Sequence, residues 1–270
     1  MKKILVVCLA VCIGLSGCEE LFNTDNQDTL TTDQVIEGLK TALKVGTDTT
    51  VTALSKTDGY YLDNLLKIPL PDEASVITDN LDNQVFQLLG LTSFLEDKVE
   101  EVILSINRSA EEAAKGAAPI FKNAITDLSI SDAWAILKGQ NPAATKKSAV
   151  EFDSTAATAY LKSTTYQSLL ELYSPVVNQA LDKDIGLGFS ANDVWNTLTD
   201  TYNTGAESIA GQLAGLEPME TQLDEFVITK ALDGLFYRIG LVEKDIRKDP
   251  LAWATTTVGS ILKKVFGYKG

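Results

Sequence analysis

An all-α, multi-helix bundle is the fold class that the sequence predicts. Three observations carry the expectation. Apolar residues recur at helical spacing in segment after segment, whereas the alternating pattern of half-buried strands is almost absent. The dipeptides Asp58-Gly59 and Asp233-Gly234, which could turn a hairpin, fall inside or beside helical patterns. The 270 residues are 45% hydrophobic and 22% charged, enough apolar material for a sizeable core and too little charge for an extended chain.

Lys2 and Lys3 precede an uninterrupted apolar stretch, Ile4 to Leu15, that ends in Leu15-Ser16-Gly17-Cys18. Residues 1–17 therefore read as a signal peptide with a lipobox. Small residues at 16 and 17 open the backbone to a lipoprotein signal peptidase, and Cys18 supplies the sulfur that takes the diacylglycerol. Each buried CH2 of an acyl chain contributes ~0.8 kcal/mol, so several chains on one cysteine hold a protein to a membrane. Cys8 and Cys12 leave with the leader and Cys18 is consumed by lipid, so no disulfide or thiol chemistry is expected in the body. Residues 18–31, polar apart from Leu21, Phe22 and Leu30, read as the lipidated cysteine and its tether, and residues 32–270 as the helical domain. Glu19-Glu20 resembles export signals that send lipoproteins outward in some Gram-negative lineages, which favours the outer membrane, on its periplasmic or surface face, over the inner membrane.

The elements follow in order. Val35, Ile36, Leu39, Ala42 and Leu43 form the first stripe, with Thr32 placed to cap it, and a second short helix is expected over about 50–55. Ile68-Pro69-Leu70-Pro71 is a rigid connector. Ser93-x-x-Glu96 opens the longest amphipathic segment, expected to stop near Pro119, with shorter helices at about 120–128 and 132–137 and Gly139 as a stop signal. Residues 140–154 read as a surface loop. Helices are then expected over 156–181, bent or broken at Pro175; from Ser190-x-x-Asp193 to about 209; along the stripe from Leu223 to Ile246; and over about 251–266. No solenoid-period repeat is visible.

Several strings together are recognisable: Ala42-Leu43-Lys44, Asn107-Arg108-Ser109-Ala110-Glu111, Pro119-Ile120-Phe121, Asp132-Ala133, Ile136-Leu137-Lys138-Gly139, Ala156-Ala157-Thr158, Lys230 to Phe236, Ile246 to Pro250, and Val265-Phe266-Gly267. In that order, over about residues 35–267, the chain resembles the uncharacterised bacterial lipoprotein family known as domain of unknown function 4197. The resemblance implies a helical, lipid-anchored envelope protein and supplies no activity or catalytic residues. The longer loop between Gly139 and Ala156 departs from the family's pattern.

With no histidine and no mature thiol, Ser-His-Asp and Cys-His triads and His-ligated zinc are excluded. Removing Lys2 and Lys3 leaves 21 bases against 37 acids, a net charge of −16, with no basic footprint for nucleic acid beyond Lys263, Lys264 and Lys269. No cofactor and no catalytic residue is expected. Glu100-Glu101 and Glu111-Glu112 read as solvated helix faces. Asp182, Asp184 and Asp193 form a weak metal candidate that fails the calcium-loop pattern, because its sixth position is Leu187 and its twelfth is Asp193 rather than Glu. Asn107, Arg108 and Glu111, together with Lys230 and Asp233, are the candidate ligand-binding residues, because a half-buried guanidinium can take a carboxylate or phosphate. The structural alternative pairs Arg108 with Asp132 or Asp233. Trp134, Trp195 and Trp253, with Tyr60, Tyr61, Tyr160 and Tyr166, read as core, or as the lining of a carbohydrate platform or an apolar pocket. Asp28-Thr29-Leu30, Asp48-Thr49-Thr50 and Asp153-Ser154-Thr155 resemble an O-glycosylation acceptor used in one group of Gram-negative bacteria.

The functional expectation is a lipid-anchored envelope protein that acts as a non-enzymatic binding or structural module, its membrane contact made through the N-terminal lipid and its envelope partner open. The alternatives are a helical carrier of a small apolar or anionic ligand and a carboxylate-dependent envelope glycan hydrolase.

Overall fold

The computed structural model of the chain describes residues 29–140, 152–184, 186–253 and 257–267. The expected leader, Cys18, most of the expected tether and most of the loop expected over 140–154 lie outside the described residues. Among the described residues all regular structure is helical. The long helices are α1 (Thr32–Leu54), α4 (Thr92–Asp127), α6 (Ala156–Leu181), α7 (Ala191–Ala206) and α9 (Asp224–Lys248). The short ones are α2 (Ser75–Thr78), preceded by a 3-10 turn at Asp72–Ala74, α3 (Gln84–Leu89), α5 (Ala133–Leu137), α8 (Ile209–Leu213) and α10 (Thr257–Phe266).

The apolar stripes dictate how these helices assemble. α4 packs on α1 and on α6, and α9 closes the ring by packing on the same two helices. A four-helix bundle results, with the stripe of each member turned inward. Val35, Leu39 and Leu43 of α1, Val102, Ile106 and Phe121 of α4, Leu161 and Leu169 of α6, and Leu232, Leu235 and Ile239 of α9 fill its core. Outside this ring α7 lies on α4, α3 on α7, α10 on α1, and α5 between α1 and α6. Trp253 joins a small satellite cluster of Ala42, Val242, Ile246 and Leu262. The close approach of Tyr60, in the turn after α1, requires glycine at Gly234 of α9, where an added Cβ would lie 2.8 Å from Tyr60 Cε1.

Several boundaries differ from the sequence expectation. Thr31, not Thr32, caps α1: its hydroxyl accepts from Gln34 N and the Gln34 side chain accepts from Thr31 N. The helix expected over 50–55 is the last part of α1, kept continuous because Thr47, Thr50 and Leu54 stay on the buried stripe. α4 begins without the Ser93 box, and its N-cap, Leu91, makes no side-chain bond. It runs through Pro119 to Asp127, because Ala117, Phe121 and Ile125 remain buried in phase across the proline. Tertiary burial there outweighs the lost amide bond. α6 likewise contains Pro175 within one helix and has the expected bounds. The Ser190–Asp193 capping box, the α5 stop at Gly139 (φ +74°) and α9 are as expected.

Candidate functional site

The predicted ligand-binding residues do not converge on one site. Asn107 is fully buried in α4, where its amide meets the backbone of the connector before α2: Nδ2 donates to Ile68 O at 2.8 Å and Oδ1 accepts from Ile68 N at 2.9 Å. One turn on, Glu111 is also buried, and its Oε1 accepts from Tyr60 N at 3.1 Å and Tyr61 N at 3.2 Å. Arg108 donates to Glu111 Oε2 at 2.7 Å and to Asp58 Oδ1 at 2.6 Å. Burial opposes its charge, but these two carboxylates outweigh that and raise the guanidinium pKa. The partner is thus Asp58, not Asp132 or Asp233, and Glu111 is no solvated face. Asp58 is also a non-glycine residue at positive φ (68°), held there by this pairing at the turn out of α1. Together these side chains clamp residues 58–68 onto α4. Tyr60 completes the clamp, donating its hydroxyl to Ala231 O at 2.9 Å beside Gly234.

Lys230 and Asp233 sit elsewhere. Asp233 accepts from Lys162 Nζ at 2.7 Å across α6 and α9, and Lys230 lies 5.5 Å from the centroid of the Phe226 ring.

A second buried network was invisible in the sequence. α6 starts at Thr155 without a side-chain cap, and Glu243 from α9 fills that role. Its Oε1 accepts from Ala157 N at 3.0 Å, and its Oε2 accepts from Thr158 N and Thr158 Oγ1, both at 2.7 Å. One turn later Arg247 donates to Glu243 Oε1 at 2.8 Å and to the last carbonyls of α5, Leu137 O at 2.8 Å and Ile136 O at 3.0 Å. Acid at a helix N-terminus and base at a helix C-terminus are the favourable signs for both dipoles. The signal was an unremarkable i,i+4 Glu–Arg pair, with nothing in the chain naming its distant targets.

The acidic trio does not form a metal centre. Asp184 Oδ1 accepts from the amides of Gly186, Leu187 and Gly188, which lower its pKa, and Asp193 is spent on Ser190, whose hydroxyl and amide lower its pKa too. Asp182 accepts from Asn192 Nδ2 at 2.7 Å. Among the described residues no group of three acidic, histidine or cysteine side chains is placed to hold an ion.

Asp182 instead lies on the rim of a polar cleft of about 510 Å3, between the C-terminal end of α6, the outer face of α7 and the connector into α9. The amides of Asn178, Asn192, Asn196 and Asn203 line one wall. Asp182, Asp200, Glu220 and Asp224 add carboxylates. Among the described residues, no lysine or arginine lines it. The far wall is fixed from α7: Asn203 exchanges two 2.8 Å bonds with the backbone of Met219, and the buried Trp195 indole donates to Thr221 O at 3.0 Å. Trp195 is therefore the buried floor of the cleft and no exposed stacking platform. Asn178 Oδ1 is buried without a hydrogen-bond partner. Asp200 and Glu220 are exposed. That is unlike the apolar surroundings in which glycosidases keep a carboxylic acid protonated.

A second concavity, about 720 Å3, runs between α4 beyond Pro119 and the middle of α6. Its walls include Ile120, Leu128, Leu169 and Leu172. Thr164 and Thr165 also line it, with their hydroxyls donating back to carbonyls of their own helix.

The sequence profile of a protein family of unknown function, DUF4197, matches residues 29–147 and 147–267, nearly all of the described chain. The chain belongs to this family. No curated protein and no solved structure matched. The strings that carry the DUF4197 resemblance now have physical roles. Asn107 to Glu111 holds the 58–68 connector, Ala156 to Thr158 is the helix start that Glu243 caps, and Arg247 within Ile246 to Pro250 ties α5 to α9. The cleft on α7 lies outside those strings.

Proposed function

We propose that the protein is a lipid-anchored module of the bacterial envelope that binds rather than transforms its partner, with the cleft on α7 as the binding site. The Leu15–Cys18 box, preceded by an apolar leader and followed by a polar stretch, supports the anchor. The cleft carries the binding part of the reading: it is a polar concavity of about 510 Å3 whose wall is fixed by the hydrogen bonds of Trp195 and Asn203 to Thr221 and Met219. The buried charged groups Arg108, Glu111, Glu243 and Arg247 are all spent on holding connectors and helix ends. Fractionation of the Cys18→Ser variant in the native host tests the anchor. The variant should leave the membrane pellet for the soluble fraction; retention in the pellet would refute it.

The groove beside Pro119 favours a second reading, a carrier of a small apolar ligand. A fluorescent fatty acid should then bind saturably and be weakened by Leu172→Asn at an exposed position of the groove, and an unchanged titration would remove this reading.

A further inference from the structure

We infer that the N-terminal segment, residues 19–28, docks in the groove between α4 and α6, with Leu21 and Phe22 seated against Ile120, Leu169 and Leu172. The inference goes beyond both readings above and uses the length and composition of the segment, not a lipid on Cys18. The groove exists because the seam between α4 and α6 is pinned at two points and lined with small side chains between them. At one end Gly116 brings the helices together, since an added Cβ there would lie 2.8 Å from Val176 Cγ1. At the other, the Tyr160 hydroxyl donates to Ser129 O at 2.9 Å. Between these points Ala124 of α4 and Thr164, Thr165 and Ser168 of α6 are too short to fill the seam, which leaves about 720 Å3 open. Leu172 stands 58% exposed in its wall. An apolar concavity of this kind marks a surface that something covers.

Position and reach name the occupant. Thr32 Oγ1 accepts from Trp134 Nε1 at 3.0 Å, and Lys40 Nζ donates to Thr126 O at 2.7 Å. The chain that precedes α1 therefore emerges at the end of the bundle where Ser129 closes the groove. In residues 19–31 the apolar side chains are Leu21, Phe22 and Leu30, and Leu30 is already buried in the core. From Leu30 back to Phe22 the chain spans ~26 Å when extended. Along α4 the groove from Asp127 to Pro119 covers ~12 Å of helix. Half of the available chain thus lines the groove, and the other half crosses to it from α1. The exposed Asn123 and Ser168 side chains in the walls offer donors and acceptors to the backbone of an extended segment. The seat is apolar rather than electrostatic: Asp127 is the charged residue of the lining, and the segment brings acids of its own. Once docked, the chain itself occupies the groove, so a free apolar ligand enters only by displacing Leu21 and Phe22. Docking also shortens the link between residue 18 and the body from ~36 Å of chain to ~10 Å.

Cysteine cross-linking with a short bismaleimide tests this on the full chain, purified from its native host in a mild detergent. Asn23→Cys is paired either with Ser168→Cys in the groove or with Val258→Cys, an exposed position beside Glu37 of α1 on a different face of the bundle. Peptide mass identifies each product and separates it from any bond to Cys18, so the outcome does not depend on the anchor. The expected result is about tenfold or more of the 23–168 product over the 23–258 product, because docking raises the effective concentration of one thiol at the other. Adding Leu21→Ser and Phe22→Ser should abolish that preference. Comparable yields of the two products, or an excess of 23–258, would overturn the inference. So would the absence of both, which places the segment in the detergent or the membrane. An excess of 23–168 that survives the loss of Leu21 and Phe22 overturns the apolar seat.

Discussion

Single side chains in this protein do long-range work on the backbone, and substitutions should separate the groups that do from those that do not. Tyr60 and Tyr173 are both buried core tyrosines, but the Tyr60 hydroxyl donates to Ala231 O whereas the Tyr173 hydroxyl has no partner. Tyr60→Phe should cost about 1 kcal/mol, and Tyr173→Phe should be neutral or stabilising, as read by urea unfolding. Burial raises the pKa of both phenols, with the charges of Tyr173 and Glu111 adding to it for Tyr60. A raised folded-state pKa contributes stability that is fully present below the ordinary tyrosine value of ~10 and is lost as pH climbs beyond it. Calorimetry should therefore show the melting temperature falling more steeply above about pH 10 in the parent than in the Tyr60→Phe/Tyr173→Phe double variant. Equal slopes would contradict this. Glu243 and Arg247, at 1% and 6% side-chain exposure, form the pair whose loss matters most. Removing either by alanine should cost about 3–5 kcal/mol, since it strands the other's charge together with helix-end groups, and the double substitution should cost less than the two added.

At the scale of elements, local signals located the helices well and their ends less well. The 3.6-residue stripes in α6 and α9, the Ser190–Asp193 box and the Gly139 stop are local chemistry, and a short window of sequence holds all of it. Ser190→Ala should accordingly destabilise by about 1 kcal/mol. Pro119 misled, because the packed stripe of α4 that carries the helix past it lies beyond any local window, and the start of α6, correctly placed, gave no sign that Glu243 caps it. The turn at Asp72–Ala74 and the helices α2 and α3 are too short to show a period. For Gly234, α9 would gain helix propensity from alanine, yet the new Cβ meets Tyr60 at 2.8 Å. Gly234→Ala should lower the melting temperature despite that propensity gain, and a rise would show that Tyr60 is free to move aside.

For the whole molecule, the closed ring of α1, α4, α6 and α9 leaves ligand chemistry to the outside, where α7 and its connector build the cleft. Of the candidate site, the sequence showed that Asn107, Arg108 and Glu111 sit together on one helix; it could not show that the 58–68 backbone, rather than a ligand, occupies them. The cleft escaped notice because its amides and carboxylates come from three separate segments and carry no spacing motif. Among its lining residues, Asp182 and Trp195 carry functional expectations from the sequence: Asp182 bonds to Asn192 rather than joining a metal group, and the buried Trp195 takes the core role rather than that of a stacking platform. The acidity, 21 bases against 37 acids beyond residue 17, disfavours attachment to anionic surfaces through charge, and the proposed anchor assigns attachment to a lipid at Cys18. The most direct test of that central claim is the intact mass of the protein purified from membranes of its native host. The account predicts a chain that has lost residues 1–17 and carries a diacylglyceryl group on Cys18. An unmodified cysteine, or a chain still bearing its leader, would contradict it.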